Sequence, residues 1–264
     1  MKLIKWSLSV LILAMVSATQ VSAAEIAFFD NPTYTDPGEE SANLAASLTS
    51  LGHNIQIFSG IEAIDWQTAT QDADLLVIPE LDNGDLFDDL SVAAAQVVFD
   101  YVDNGGGMLM FDRADGPTPN MLNGVFGFSL VGGSGGVTSL NAAAAVGTPF
   151  EGGPAALSDP SATELMLTNS LPAGALDLYN DQVSQTSVFT VVQGSGSIGY
   201  LAFDWFEQPT PAAWEEVLGR SVDAVQGTST GESISIPTLD FVGLAALALI
   251  LLALGITGIR RRIY

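Results

Sequence analysis

Ala73-Asp74-Leu75-Leu76-Val77-Ile78-Pro79-Glu80 is the stretch on which the fold turns. Its four apolar residues leave neither alternating face polar, as expected of a strand covered on both sides in a parallel sheet. Working outward toward the N-terminus, Glu25 to Asp30 reads as a second apolar strand ending in an acid. Between the two, Glu39 to Leu51 carries apolar residues at Ala42, Leu44, Ala45, Leu48 and Leu51 and stops at Gly52, which predicts a helix. His53 to Phe58 then reads as a strand and Ile64 to Thr70 as a short helix. On the other side, Ser91 is placed to cap a helix running to Val102, ended by Asn104-Gly105-Gly106-Gly107. Met108 to Asp112 follows as a strand and Pro119 to Phe126 as a helix. Strands alternating with helices at this spacing predict an α/β domain on a doubly wound parallel sheet.

Residues 129–187 break that rhythm. Gly, Ala, Ser and Pro dominate there, with a short strand candidate at Thr163 to Leu167, and the segment reads as an inserted β-rich flap. Gly132-Gly133-Ser134-Gly135-Gly136 lacks the Lys and Ser/Thr of a phosphate loop and reads as a flexible hairpin. Regularity returns with Ser187 to Val192, the turn Gly194-Ser195-Gly196, and Ile198 to Asp204, a hairpin by its turn chemistry. Ala212 to Val225 predicts a final helix with Trp214, Val217, Leu218, Val222 and Val225 on one face. The domain thus spans 24–225, and the polar stretch 226–235 reads as a flexible stalk.

Three of these stretches resemble the class I glutamine amidotransferase-like fold, whose sheet is flavodoxin-like: Ala73 to Glu80, Tyr101 to Phe111, and Gly196 to Asp204 before the last helix. In active members a nucleophilic Cys sits on the sharp turn after the Gly-Gly-led strand, and a His follows the late hairpin. Here that turn reads Asp112-Arg113-Ala114-Asp115-Gly116, and the late strand ends Phe203-Asp204-Trp205-Phe206-Glu207. Neither nucleophile nor base is present, so the resemblance implies the fold and argues against the activity.

Both ends of the chain carry address signals. Lys2 and Lys5 precede an apolar run from Leu8 to Val16 and the small-residue pattern Val21-Ser22-Ala23, a signal peptide over 1–23 that predicts a mature start at Ala24. At the other end, Phe241 to Ile259 has no charged residue and predicts one C-terminal transmembrane helix. As a helix it would reach about 28 Å, against a hydrocarbon core of roughly 30 Å. Arg260, Arg261 and Arg262 behind it predict a cytoplasmic stop. With Ile236-Pro237-Thr238-Leu239 in front, residues 236–264 resemble the IPTL-CTERM sorting signal, a relative of the PEP-CTERM tails cut by exosortase-type proteases in Gram-negative bacteria. The usual Ser-Glu-Trp-Gly is replaced by Asp240-Phe241-Val242-Gly243, so a plain membrane anchor stays open beside a processed tail. Signal peptidase, the export machinery, a processing protease and the membrane are the partners this implies. The domain would lie outside the cytoplasm, at the inner membrane or released to the outer surface or extracellular matrix.

All 30 acidic residues fall between Glu25 and Asp240, against two basic ones, Arg113 and Arg220, so this segment carries a formal charge of −28 where the whole chain carries −23. Such a field disfavours nucleic acid and anionic lipid as partners and favours solubility in salt. With no cysteine, disulfides, thiolate catalysis and Cys-bound metals are excluded. Asp30, Glu80, Asp82, Asp112 and Asp115 all fall at or just past strand C-termini, with Arg113 among them. In a parallel sheet those ends share one edge, so this set is the candidate ligand edge, and its oxygen donors suit Ca²⁺ if a cation is taken up at all. The opposite edge receives His53, the only histidine, read as a surface residue. Trp66, Trp205 and Trp214 read as core or rim packing rather than a carbohydrate platform. The functional expectation is a non-catalytic binding or structural domain; the alternative is an extracellular hydrolase using the carboxylates of that edge.

Overall fold

The computed structural model describes residues 23–111, 113, 116–158, 164–206 and 208–226. The chain opens with β1 (Glu25–Phe29), α1 (Glu40–Ser50), β2 (Asn54–Phe58), α2 (Ala63–Thr70) and β3 (Leu75–Ile78). It continues with α3 (Leu86–Asp89), α4 (Val92–Asp103), β4 (Gly107–Phe111) and α5 (Pro117–Phe126). An irregular stretch then holds β5 (Thr138–Leu140), α6 (Ala142–Ala145), β6 (Ala156–Leu157), β7 (Met166–Leu167) and β8 (Leu176–Asn180). The long hairpin of β9 (Gln185–Gln193) and β10 (Gly196–Leu201) leads into α7 (Ala212–Val225).

One sheet runs β2-β1-β3-β4-β10-β9-β8-β5-β6, with β7 added on β9. From β2 to β10 every pairing is parallel, and beyond β10 every pairing is antiparallel. The parallel part has the order of flavodoxin-like sheets, a mixed α/β architecture with a switch point between β1 and β3. In β3 the expected two-sided burial is realised. Leu76 and Ile78 enter one core with Trp66 of α2 and Val98 of α4, while Leu75 and Val77 enter the other with Leu44 of α1 and Trp214 of α7. Trp66, Trp205 and Trp214 are all buried, so they pack the core.

Local chemistry sets several boundaries. Ser91 caps α4 as expected, its Oγ accepting from the Ala94 N–H at 3.1 Å. Pro117 starts α5 two residues before the expected Pro119, because proline at the first helical position gives up a hydrogen bond that no helix makes there. Gly194 sits at φ 58 in the two-residue loop that closes Gln193 against Gly196, a backbone shape costly for a residue with a Cβ.

The segment 129–187 is β-rich as expected but does not stand apart as a flap: its strands lengthen the central sheet on the β10 side. A strand with an unpaired edge recruits neighbours, and β9 offers β10 a complete antiparallel ladder. The Gly-rich stretch is not a local hairpin either, since Gly132 bridges to the distant Met166. Among the described residues no helix is long and apolar enough to cross a membrane. The signal peptide to Ser22, the stalk from Gly227, the sorting residues Ile236 to Leu239, the span 241–259 and Arg260 to Arg262 lie outside the described residues.

Candidate functional site

The parallel strands deliver their C-terminal loops to one edge, and hydrogen bonds lock these loops together across the switch point. After β1, Asp30 Oδ1 accepts from Thr35 Oγ1 at 2.8 Å and Asn31 Nδ2 donates to the Ser59 carbonyl at 2.8 Å. From the loop after β3, Asn83 donates through its backbone N–H to the Tyr34 carbonyl at 2.9 Å and through Nδ2 to the Thr35 carbonyl at 2.7 Å. After β10, the Trp205 indole donates to Ser47 Oγ at 3.2 Å, and Asn43 Nδ2 donates to the Trp205 carbonyl at 3.0 Å. Those two bonds hold the segment bearing Asp204 against α1, the helix that begins with Glu40.

Glu80 lies inside this frame. It is 9% exposed, and its Oε2 is buried with no hydrogen-bond partner. Burial, then the negative charges of Asp204, Asp82 and Glu40, push its carboxyl up to about 9, with Arg113 opposing. Glu40 repeats the pattern more mildly. Its Oε2 is also buried and unpartnered. Burial raises its carboxyl to about 7, against its own backbone hydrogen bond and with the charges of Asp204, Asp36 and Asp82 adding to the rise. Asp36, Glu39 and Glu40 each offer a carboxylate oxygen within 4.8 Å of the other two. Arg113 stands on the turn after β4 at φ 47, an uncommon backbone shape for a side chain of this size, and donates to Asp82 Oδ1 at 2.8 Å.

Four of the six residues expected at this edge are therefore described there: Asp30, Glu80, Asp82 and Arg113. Asp30 is spoken for by Thr35, and Asp82 by Arg113. Asp112 and Asp115 lie outside the described residues. Sequence reasoning missed Glu40, Asp36 and Glu39 because it looked only at strand ends. The loop after a parallel strand and the first turn of its helix share that edge, so the same rule extended by one turn finds all three. Asp204 was in view as the end of the late strand without being joined to the cluster.

The opposite edge differs from expectation at one residue. His53 is not on the surface: it is 5% exposed, and its Nδ1 accepts from the Ala24 N–H at 3.1 Å. The loop entering β2 folds under the start of β1, so the imidazole closes off the end of the sheet. Burial lowers its basicity, with Asp223 opposing. It sits at the opposite end of the sheet from the acidic cluster.

What the acidic edge can do follows from its composition. A carboxyl that stays protonated near neutrality can donate a hydrogen bond, and a group of carboxylates with unfilled oxygens can hold a hard cation.

No protein-family model matches the sequence, and no curated protein matches it. Among solved structures, a putative ThuA-like protein from Bacteroides uniformis superimposes with a TM-score of 0.51 at 15% identity, over 78% of this chain and 93% of the other. The likeness is one of fold. A second putative ThuA-like protein, from Parabacteroides merdae, gives 0.51 at 14% identity over 77% of this chain and 90% of its own. A β-galactosidase from Bacillus circulans sp. alkalophilus gives 0.50 at 11% identity, with 77% of this chain covering 32% of that enzyme.

Proposed function

We propose that this chain is an exported binding protein, with a non-catalytic amidotransferase-like α/β domain carried to the cell surface by its two terminal signals. The observation that carries the reading is Arg113. It occupies the strained turn after β4, where the amidotransferase-like resemblance calls for a nucleophilic Cys, and its guanidinium is engaged by Asp82. The base is missing as well, since the single histidine is buried at the far edge of the sheet. What remains at the usual site of chemistry is a partly buried acidic surface suited to binding. The tail supports delivery: Ile236 to Leu239, the apolar span and the arginines stand in the order of an IPTL-type signal.

The test joins activity to processing. Protein purified from its native envelope and from spent medium is weighed intact and assayed against glutamine and aryl glycosides. The reading expects a chain from Ala24 to near Thr238 and no turnover above the uncatalysed rate. Turnover that is lost in Glu80→Gln would replace it.

A second reading has a specific observation behind it. A carboxyl raised by burial next to ionised carboxylates is the arrangement of acid-assisted hydrolysis. In that reading Glu80 is the general acid and Asp82 or Asp204 the second carboxyl of the pair.

A further inference from the structure

Two carboxylate oxygens at the edge, Oε2 of Glu80 and Oε2 of Glu40, are sealed from solvent and accept nothing. A buried polar atom without a partner costs roughly 1–3 kcal/mol, more when charged, so two of them at one edge of the sheet call for a ligand. Their setting says what kind. Asp36, Glu39 and Glu40 bring three carboxylate oxygens within 4.8 Å of one another, close enough to share one ion. Glu80, nine-tenths buried, bears on Glu40 from the loop after β3, with Asp82 and Asp204 in the same field. The guanidinium of Arg113 is committed to Asp82. All the donors are carboxylate oxygens on loops and a helix start, with no sulfur or imidazole among them. Hard all-oxygen sets of this kind, adjustable in number and angle, fit Ca²⁺ better than Mg²⁺, which demands a near-ideal octahedron and keeps its waters.

We propose that the edge binds one Ca²⁺ through Asp36, Glu39 and Glu40, with Glu80 turned toward the same ion from across the switch point. The inference rests on the binding reading above and names its ligand. The ion would fasten the loop after β1 to the loop after β3 beyond the backbone and side-chain hydrogen bonds of Asn83 that now join them.

Calorimetric titration of the full exported chain, stripped with chelator and held in 150 mM NaCl, tests it with CaCl₂ as the probe. The expected result is one saturable site, with Glu40→Gln and Glu80→Gln each at least tenfold weaker and Asp72→Asn, in the exposed turn after α2, unchanged. Far-UV circular dichroism on each variant verifies folding, and Glu40→Gln, at a helix start, keeps the test open should Glu80→Gln fail to fold. Absence of saturable heat, equal weakening by Asp72→Asn, or Mg²⁺ binding as tightly as Ca²⁺ would overturn the proposal. A chain that neither hydrolyses nor takes Ca²⁺ sinks this inference and leaves the binding reading standing. Hydrolysis sinks the binding reading, whatever Ca²⁺ does.

Discussion

The two edges of the parallel sheet are built from similar residues to opposite ends. At the N-terminal edge acids and amides are matched to donors: Asp74 Oδ2 accepts from the Glu25 N–H at 3.0 Å, Glu25 Oε1 from Asn54 Nδ2 at 2.6 Å, and His53 Nδ1 from the Ala24 N–H at 3.1 Å. Backbone there packs on backbone, with Gly107 lying under the Val225 carbonyl. At the C-terminal edge two carboxylate oxygens go unmatched, and an arginine holds a strained φ. In an open α/β sheet one edge can be spent on closure and the other left unsatisfied, and the unsatisfied one is where a ligand does most.

The difference can be broken first at the closed edge. A Cβ on Gly107 would collide with the Val225 carbonyl, which is backbone and has little room to yield. Gly107→Ala is expected to cost more than about 3 kcal/mol, read as a lower urea midpoint with unchanged slope. A loss under about 1 kcal/mol would mean that this edge is looser than its contacts imply.

The open edge predicts the opposite sign. Glu80 releases its proton near 4.5 when unfolded and near 9 when folded. Because the folded value is the higher one, Glu80 costs nothing below pH 4.5 and progressively more as pH rises toward 9. At about 1.4 kcal/mol per pH unit, reduced for its remaining exposure, Glu80→Gln should stabilise the chelated protein by roughly 2–3 kcal/mol at pH 7. The gain should vanish at pH 4, which thermal melts at the two pH values would show. A variant equally stable or weaker at pH 7 would remove the open edge from the comparison.

The smallest effect sharpens it from inside the same edge. Asp181, in the turn between β8 and β9, also lies at the C-terminal end of the sheet, yet its Oδ1 accepts from the N–H groups of Val183, Ser184 and Gln185 at 2.8, 2.8 and 3.0 Å. Those bonds, with one from the Gln185 side chain, outweigh partial burial and hold its carboxyl down to about 2. Its contribution is present above the unfolded value near 3.8 and is lost as pH falls through about 2. Asp181→Asn keeps the acceptor and loses the charge, so it should cost less than about 1 kcal/mol at pH 7 and nothing near pH 2. A cost that persists at pH 2 would mean the turn needs the shape of the side chain rather than its charge.

The parallel half of the molecule was legible because its information is local. The apolar run at Leu75 to Ile78, the cap at Ser91 and the turn at Gly194 to Gly196 each act within a few residues, and each forms where expected. The antiparallel half was not. Strands as short as Ala156–Leu157 and Met166–Leu167 show no period, and their partners, β5 for the first and β9 for the second, lie far away in sequence or in another element. The four residues of α3, Leu86–Asp89, are likewise too few to show a helix period, and Asp85 makes that turn by capping the Phe87 N–H. At the site, the strand-end rule found Glu80 and Asp82. Its burial, its orphaned oxygen and its neighbours Glu40 and Asp204 depend on how α1 and the segment after β10 are tied together, which only the folded chain displays.

The position of β10 has a kinetic consequence. On one side it joins β9 through a two-residue loop; on the other it joins β4, from which the chain travels all the way from Phe111 to Gly196. Closing the short loop costs little entropy and closing the long one costs more, so the β9–β10 pairing is expected to precede the β10–β4 pairing. Until β10 docks, the side of β4 that it will cover remains open. Pairing β10 with β4 is thus expected to be the slower of the two events, and a nascent chain is expected to be most exposed to wrong partners before it happens.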